Sequence, residues 1–298
     1  MRRVKVAVVD VGSNSVRLLV AAVAAAGTVK QLARERAYLR LGDDAYRLGR
    51  ISDAKLAETE SVAREYARIA RKRRVERFTT IVTAPGRQVS NPDDLLDMLA
   101  SATGEAVVLL GAEDEGRLAW EGAVSRMKAA PRCVAVIDLG GGSFELAIGE
   151  PGIGPEWVES RDAGALRVTR AFLPEPRPTP DLVAEAREKV RRLLADLEPP
   201  LPDVTLAVGG TARAIVRLLG RRYTVSQLEE LTAKLVAEGP AQVTKGTEIT
   251  PERAETLLGG TLVLAEVARH LGTKLEVGRG GLREGAALAL ARAEAVAA

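Results

Sequence analysis

Two loops rich in glycine and serine, each preceded by an apolar run that ends in an aspartate, constrain this chain most strongly. Residues 6–10 (VAVVD) lead into VGSNS at 11–15, and residues 134–138 (VAVID) lead into LGGGS at 139–143. An apolar run of this kind is typical of a buried strand, and glycine lets backbone N–H groups approach an anion without an intervening Cβ. The sequence therefore predicts two phosphate-binding loops at strand ends, each with a carboxylate beside it.

The two loops match position by position. Asp10 aligns with Asp138, and both loops continue into a second apolar run, at residues 16–22 and 144–148. An ordinary β-hairpin would explain either loop alone, but the same acid at the same offset in both favours a duplicated phosphate site. Neither loop has the sequence of a P-loop or of a dinucleotide-binding helix start, so we expect a hairpin turn to hold the phosphate.

Composition excludes several classes of protein. The 298 residues are 46% hydrophobic and 28% charged, which is enough for about two globular domains. Aromatic residues make up only 3%, so the chain lacks the rings that stack on single-stranded nucleic acid. The net charge of +3 suits an anionic substrate without establishing one. We therefore expect no DNA partner.

Cysteine and histidine each occur once. Cys133 excludes an intramolecular disulfide and is expected to be a buried structural thiol. His270 lies near a predicted helix end, where capping or packing is the expected role. A zinc site built on several histidines and a His-Asp phosphohydrolase domain are excluded, because each needs more than one histidine or a histidine followed by aspartate. A Ser-His-Asp triad is not expected, because capping or packing is the expected role of the single histidine.

No segment indicates export or membrane insertion. Residues 1–3 lead directly into a strand-like run without the apolar segment of a signal peptide. No run reaches the ~18 uncharged residues of a membrane span. The sequence predicts a cytoplasmic protein without a membrane partner.

Strands and helices alternate along the chain, which indicates an α/β fold in two similar halves. After the first hairpin we expect a strand at 30–41, a helix at 52–74, a strand at 77–82, a helix at 93–103, a strand at 105–110 and a helix at 113–129. A linker that acts as a hinge is predicted at 128–132, because the preceding helix must stop before Pro131 and a new buried strand follows at once. After the second hairpin we expect a helix at 180–197, a strand at 204–208, and helices at 211–219, 225–238, 251–271 and 285–298.

Eight segments occur in the order seen in the exopolyphosphatase / guanosine pentaphosphate phosphohydrolase (Ppx/GppA) family, which the chain resembles over nearly its whole length. They are 10–17 (DVGSNSVR), 40–42 (RLG), 83–91 (TAPGRQVSN), 115–118 (EGRL), 138–145 (DLGGGSFE), 209–211 (GGT), 251–254 (PERA) and 281–285 (GLREG). The glycine-rich loops are shared with the wider actin, sugar kinase and Hsp70 superfamily. The segments around Arg87, Asn91 and Glu115 are more specific to the family.

The resemblance implies two actin-like (ribonuclease H-like) α/β domains with the active site in the cleft between them. It implies domain I at residues 1–128, with the C-terminal helix 285–298 packing back onto it, and domain II at 129–284. It also implies the short form of the family, because longer members append a C-terminal helical domain. A homodimer is expected on the same ground.

The resemblance further implies roles for individual residues. Glu115 would position or deprotonate the attacking water, and Arg87 would clamp the phosphoryl group. Asp138 and Glu145 would hold Mg²⁺ or Mn²⁺, with Asp10 near the metal. Asn91 would orient Arg87 or a phosphate oxygen. The other expected phosphate-binding residues are Gly12, Ser13, Asn14, Ser15, Arg17, Gly140, Gly141, Gly142, Ser143, Gly209, Gly210 and Thr211.

These roles imply a metal-dependent exopolyphosphatase that releases terminal orthophosphate from inorganic polyphosphate and also hydrolyses pppGpp or nucleoside triphosphates. Two alternatives from other classes stay open. One is a small-molecule kinase of the same superfamily, and the other is a non-catalytic sensor that binds polyphosphate or (p)ppGpp. Glu115 and Arg87 favour water as the acceptor, and four acidic groups beside a polyanion favour a metal-bridged catalyst over a pure binder.

Overall fold

The computed structural model describes residues 3–127, 131–175 and 177–293. The chain divides into two compact units: unit 1 is Met1–Met127 with Gly280–Ala298, and unit 2 is Lys128–Arg279. Residues 128–130 of the predicted linker and residues 294–298 of the predicted last helix lie outside the described residues.

The secondary structure follows the expected alternation. The strands are β1 (Arg3–Val11), β2 (Val16–Ala24), β3 (Val29–Ala37), β4 (Arg77–Val82), β5 (Val107–Leu109), β6 (Val134–Leu139), β7 (Phe144–Glu150), β8 (Gly154–Arg161), β9 (Val204–Val208), β10 (Arg222–Tyr223) and β11 (Leu275–Val277). The helices are α1 (Leu41–Leu48), α2 (Asp53–Lys72), α3 (Ala84–Arg87), α4 (Pro92–Thr103), α5 (Ala112–Val124), α6 (Ala165–Phe172), α7 (Pro180–Leu194), α8 (Gly209–Leu219), α9 (Val225–Glu238), α10 (Pro240–Val243), α11 (Pro251–Glu255), α12 (Leu257–His270) and α13 (Leu282–Arg292).

Each unit is built on one mixed sheet, and the two sheets share a topology. Unit 1 has the order β3-β2-β1-β4-β5, and unit 2 has β10-β11-β9-β6-β7-β8. In unit 1, β1, β2 and β3 are antiparallel, and β4 and β5 extend the sheet parallel to β1. In unit 2, β6, β7 and β8 are antiparallel, and β9 and β11 extend the sheet parallel to β6. The duplication predicted from the two loops is confirmed as a repeated architecture, with β10 as the extra strand of unit 2.

Both faces of the unit 1 sheet are covered by helices. Val9 and Leu18 pack on one face with Tyr66 of α2 and Leu95 of α4. On the other face, Leu118 of α5 packs with the buried apolar residues of α13, including Ala286 and Leu288. The last helix of the described chain therefore completes the core of the unit that begins at the N-terminus.

Several predicted boundaries are wrong, for local reasons. The strand expected at 30–41 ends at Ala37, because Arg40 adopts a left-handed conformation (φ 55°) and Leu41 begins α1, which was not predicted. The helix expected at 113–129 ends at Val124, where the Ser125 hydroxyl donates to the carbonyl of Gly122.

Other differences concern unit 2. The helix expected at 251–271 is two helices, α11 and α12, separated at Thr256. The helix expected at 180–197 ends at Leu194, and β8, β10, β11 and α6 were not predicted. Within the part of the chain that the structure describes, no helix is long and apolar enough to cross a bilayer.

One buried carboxylate anchors the helices of unit 2. Glu266 of α12 is 3% exposed and accepts hydrogen bonds from Arg187 (2.8 Å) and Arg191 (2.8 Å) of α7 and from Arg269. Burial acts to raise the pKa of Glu266, but the hydrogen bonds from Arg269 and Arg191 outweigh it and the pKa lies below its usual value.

Replacing Glu266 with Gln should lower the free energy of unfolding at neutral pH by about 3 kcal/mol, the typical cost of removing one partner from a buried ion pair. Because the folded-state pKa is lowered, the stabilising effect of the carboxylate is complete above the unfolded-state pKa near 4.5 and is lost as the pH falls through the folded-state pKa. The difference in urea-unfolding midpoint between the unmodified protein and Glu266→Gln should therefore be larger at pH 7 than at pH 3.5. Glu229→Gln, in the same network but 45% exposed, is the control and should have a small effect. A loss for Glu266→Gln that is equal at both pH values would contradict the prediction.

Candidate active site

The first predicted phosphate-binding loop (residues 12–15) is the turn between β1 and β2. The N–H of Gly12 donates to the carbonyl of Ser15 at 3.2 Å, and the N–H of Gly42 donates to the carbonyl of Ser13 at 2.8 Å. Ser13 and Asn14 are 2% and 5% exposed, yet their side-chain polar atoms have no hydrogen-bond partner among the described residues. Buried polar groups are normally satisfied, so these atoms are suited to contact phosphate oxygens.

A charged pair stands at the base of this hairpin. Asp10 and Arg17 are directly opposite in the β1–β2 register, and Nε of Arg17 donates to Oγ of Ser15 at 2.9 Å. Arg17 is thereby held next to the loop, where a planar guanidinium can grip an oxyanion with two donors.

Arg283 is a site residue that the sequence analysis did not assign. It lies in α13, is 4% exposed, and its Nε is 3.9 Å from Oδ2 of Asp10. The neighbouring Glu284 accepts from Arg34 at 3.2 Å. The 281–285 motif could have pointed to Arg283. Because it lies at the other end of the chain from Asp10, nothing in the sequence indicated that the two residues lie together.

Glu115 and Arg87, predicted as the catalytic pair, are in contact. Nη1 of Arg87 donates to Oε2 of Glu115 at 2.8 Å and to the carbonyl of Leu110 at 2.9 Å. Glu115 is 6% exposed in the first turn of α5, whereas Glu113 in the same turn is exposed. The ion pair fixes the orientation of one buried carboxylate, as a group that positions water requires.

Asn91 is placed differently from the other predicted residues. Its Oδ1 accepts from the N–H of Ile51 at 2.9 Å, while its Nδ2 donates to the carbonyl of Ile51 at 3.0 Å and to Asp94 at 3.1 Å. Through these bonds Asn91 connects the start of α4 to the residues just before α2. Its predicted role toward Arg87 or a phosphate oxygen stays a prediction.

The second loop (residues 140–143) is the equivalent turn of unit 2. The N–H of Gly140 donates to the carbonyl of Ser143 at 3.0 Å, as in the first loop. The carbonyls of Gly140 and Gly141 accept from the first N–H groups of α6, and a Cβ on Gly164 would lie 2.4 Å from the backbone of Gly141. Helix α6 therefore fixes the backbone of this loop.

The register of the second hairpin places a carboxylate where the first has an arginine. Asp138 is opposite Glu145, as Asp10 is opposite Arg17. Glu145 is buried and its Oε1 accepts from Ser143 at 2.7 Å and from Ser160 at 3.0 Å. The same hairpin thus presents a cation to an anionic ligand in unit 1 and a second carboxylate in unit 2.

A third loop (residues 209–211) opens α8 beside Asp138. Gly209 has φ +94° and approaches so closely that a Cβ would lie 2.4 Å from the carbonyl of Leu139 and 3.1 Å from Oδ1 of Asp138. The fully buried Thr211 has no hydrogen-bond partner for its Oγ1 among the described residues. A helix N-terminus with an orphan hydroxyl is suited to an anion. The third predicted phosphate-binding segment is therefore a helix start, whereas the other two are hairpin turns.

Arg253 covers the third loop and was also not assigned from sequence. It is 6% exposed, and a Cβ on Gly210 would lie 2.3 Å from its Nη2. Only glycine at 210 leaves room for this buried guanidinium.

The residues of unit 2 fit a hard divalent cation. Asp138 and Glu145 supply two carboxylates from facing strand positions, and Mg²⁺ is commonly held by one or two carboxylates together with waters and phosphate oxygens. No group of three or more His, Cys, Asp or Glu side chains suited to a metal occurs within the described ranges. Two carboxylates would leave the other coordination positions of such a cation to waters or to a ligand.

The fold and the two matching hairpins define an actin-like α/β protein. The family model of the Ppx/GppA phosphatase family matches residues 19–294. Exopolyphosphatase 2 of Mycobacterium tuberculosis is 32% identical, with 98% of this chain and 100% of the relative covered. Exopolyphosphatase 1 of Mycobacterium leprae is 29% identical over 94% of this chain and 88% of the relative.

Solved structures agree. The PPX-GPPA enzyme of Aquifex aeolicus superimposes with a TM-score of 0.81 and 26% identity, covering 96% of this chain and 99% of that one. The chain belongs to the Ppx/GppA phosphatase family.

Proposed function

We propose that this protein is an exopolyphosphatase, a phosphoanhydride hydrolase that releases terminal orthophosphate from inorganic polyphosphate. The observation that carries the proposal is the ion pair of unit 1 between Arg87 and the buried Glu115, accompanied in each unit by a hairpin suited to phosphate. The relatives named exopolyphosphatase support the substrate class.

Phosphoryl transfer to water needs a positioned nucleophile and neutralisation of charge on the transferred group, with little covalent assistance. In unit 1, Glu115 would orient the water and accept its proton, while Arg87 and Arg17 would bind phosphoryl oxygens. In unit 2, the N–H groups of loop 140–143 and of residues 209–211 would bind phosphate oxygens. Asp138 and Glu145 would hold Mg²⁺ or Mn²⁺, and the cation would neutralise charge on the phosphate.

The decisive assay is orthophosphate release from long-chain polyphosphate, tripolyphosphate, pppGpp and ATP, each with Mg²⁺ and with EDTA. We expect release from polyphosphate that EDTA abolishes, and the relative rates rank pppGpp and ATP as substrates. Phosphate transfer from ATP to an added sugar or carboxylate would instead identify a kinase. Tight binding of polyphosphate without release from any substrate would identify a sensor.

Metal binding has a readout that is independent of activity. Mn²⁺ titration followed by electron paramagnetic resonance should show a site that Glu145→Gln weakens by about tenfold or more, the effect of about 1.4 kcal/mol. Glu159→Gln, on the neighbouring strand β8 and 45% exposed, is the control. Equal Mn²⁺ affinity in all three proteins would remove Glu145 from the metal site.

The homodimer and the cytoplasmic location also belong to the proposal. Analytical sedimentation tests the homodimer, and cell fractionation tests the location.

A further inference from the structure

Unit 2 contains a cavity that none of the proposed catalytic residues lines. Its volume is about 540 Å³, and it lies between the C-terminal half of α6 with the segment after it and the helices α10, α11 and α12. Pockets for small molecules usually measure about 300–1,000 Å³. The cavity is therefore large enough for a compact organic molecule.

The walls of this cavity are apolar and its charges cancel. Leu173, Ile249 and Leu258 line it, with Leu173 and Leu258 buried. Nη2 of Arg170 donates to Oε1 of Glu255 at 2.8 Å within the lining, and the exposed Lys245 and Glu175 add one charge of each sign. A neutral lining with apolar walls favours an uncharged occupant over a polyphosphate or any other strong anion.

Two helices that line the cavity, α6 and α11, also contact the predicted phosphate-binding loops. Helix α6 lines the cavity with Thr169 and Arg170, and its first N–H groups donate to the carbonyls of Gly140 and Gly141. Helix α11 lines it with Ala254 and Glu255, and the adjacent Arg253 covers Gly210. A molecule between these helices would therefore contact elements that set the positions of both loops.

Helix α6 also packs directly against α12, which follows α11 in the chain. A Cβ on Gly259 of α12 would lie 2.5 Å from Oγ1 of Thr169, so α6 and α12 are in direct contact beside the cavity. Close-packed helices transmit displacement instead of absorbing it.

We propose that this cavity is an effector site for an uncharged, largely apolar small molecule, and that its occupancy changes the affinity of loops 140–143 and 209–211 for phosphate. The second clause rests on the proposed function, because it takes these loops as the phosphate-binding loops. The first clause does not.

Two fluorescent probes with the same ring system test the first clause. N-phenyl-1-naphthylamine is uncharged, and 8-anilinonaphthalene-1-sulfonate adds one sulfonate. We expect the full chain to bind the neutral probe at least about tenfold more tightly than the sulfonate, a difference of about 1.4 kcal/mol. Equal binding of both probes, or tighter binding of the sulfonate, would overturn the assignment of an uncharged ligand.

A filling substitution locates the probe. Ala241 lines the cavity and is exposed, so Ala241→Trp should weaken binding of the neutral probe by about tenfold or more. Ala233→Trp, at an exposed position of α9 that does not line the cavity, is the control and should bind like the unmodified protein. Equal binding by both variants would overturn the site. A dissociation constant that rises with protein concentration would show that a second copy of the chain covers the cavity, which also overturns it.

Saturating orthophosphate tests the second clause by linkage, because coupling between two ligands is reciprocal. The affinity for the neutral probe should change by about fivefold, the lower end of typical allosteric coupling. Unchanged affinity in the presence of bound orthophosphate would overturn the coupling. All probe titrations are made without hydrolysis, so an inactive protein that still binds the probe would contradict the proposed function and leave the cavity assignment intact.

Discussion

Replacing Glu115 with Gln should reduce kcat for orthophosphate release from polyphosphate by about 10³-fold, within the range for loss of a general base. The amide keeps the size of the side chain and can still accept from Arg87, but it cannot take a proton from water. Glu115 is buried, and Nη1 of Arg87 donates to its Oε2 at 2.8 Å. The carboxylate is therefore already held in one orientation. Initial rates at saturating polyphosphate measure the effect.

Glu113→Gln is the matched control, because Glu113 lies in the same turn of α5 but is 66% exposed and paired with Arg117 at 2.6 Å. It should change the rate by less than about twofold, as expected for a surface ion pair. Circular dichroism of both variants checks folding. Full activity in a folded Glu115→Gln protein would remove this residue from the reaction.

Replacing Gly122 with Ala should destabilise unit 1 by about 2 kcal/mol or more, a cost typical of an overpacked core. A Cβ at 122 would lie 2.0 Å from the carbonyl oxygen of Gly281 and 2.5 Å from the N–H nitrogen of Gly285. Helix propensity acts in the opposite direction, but Ala exceeds Gly by only about 1 kcal/mol. The backbone clash therefore decides the sign, and urea unfolding followed by circular dichroism measures it.

Gly111→Ala is the control at the N-cap of the same helix. There a Cβ meets only Oδ2 of Asp114, at 3.5 Å, which is ordinary contact. Its midpoint should stay close to that of the unmodified protein. Stabilisation by Gly122→Ala would show that α5 and α13 are less closely packed than described.

Local patterns in the sequence predicted the parts of the site that are local in the structure. Both hairpins were predicted because an apolar run, an aspartate and glycines are consecutive in the chain, and the register then fixes which residue faces Asp10 or Asp138. The roles of Arg87 and Glu115 followed only from the family resemblance, and the contact between them was not predicted. No periodicity relates two residues on separate elements.

The missed features all depend on tertiary packing. Arg283 and Arg253 are buried cations whose partners, Asp10 and Gly210, are distant in sequence. Helix α6 was missed because its amphipathic sequence is short and its first N–H groups donate to carbonyls of loop 140–143, which is distant in sequence. Asn91 has a local partner in Asp94, but its bonds to Ile51 depend on how the start of α2 meets α4.

The return of α13 to unit 1 also bears on how the protein folds as it is synthesised. Residues 3–127 leave the ribosome about 150 residues before the segment that fills one face of their sheet, whereas unit 2 is continuous in sequence. During that interval Leu118 and the sheet residues it packs with expose an apolar surface that chaperones bind and proteases reach. Nascent unit 1 should therefore be the aggregation-prone part of the chain, protected only once the last helix has been made.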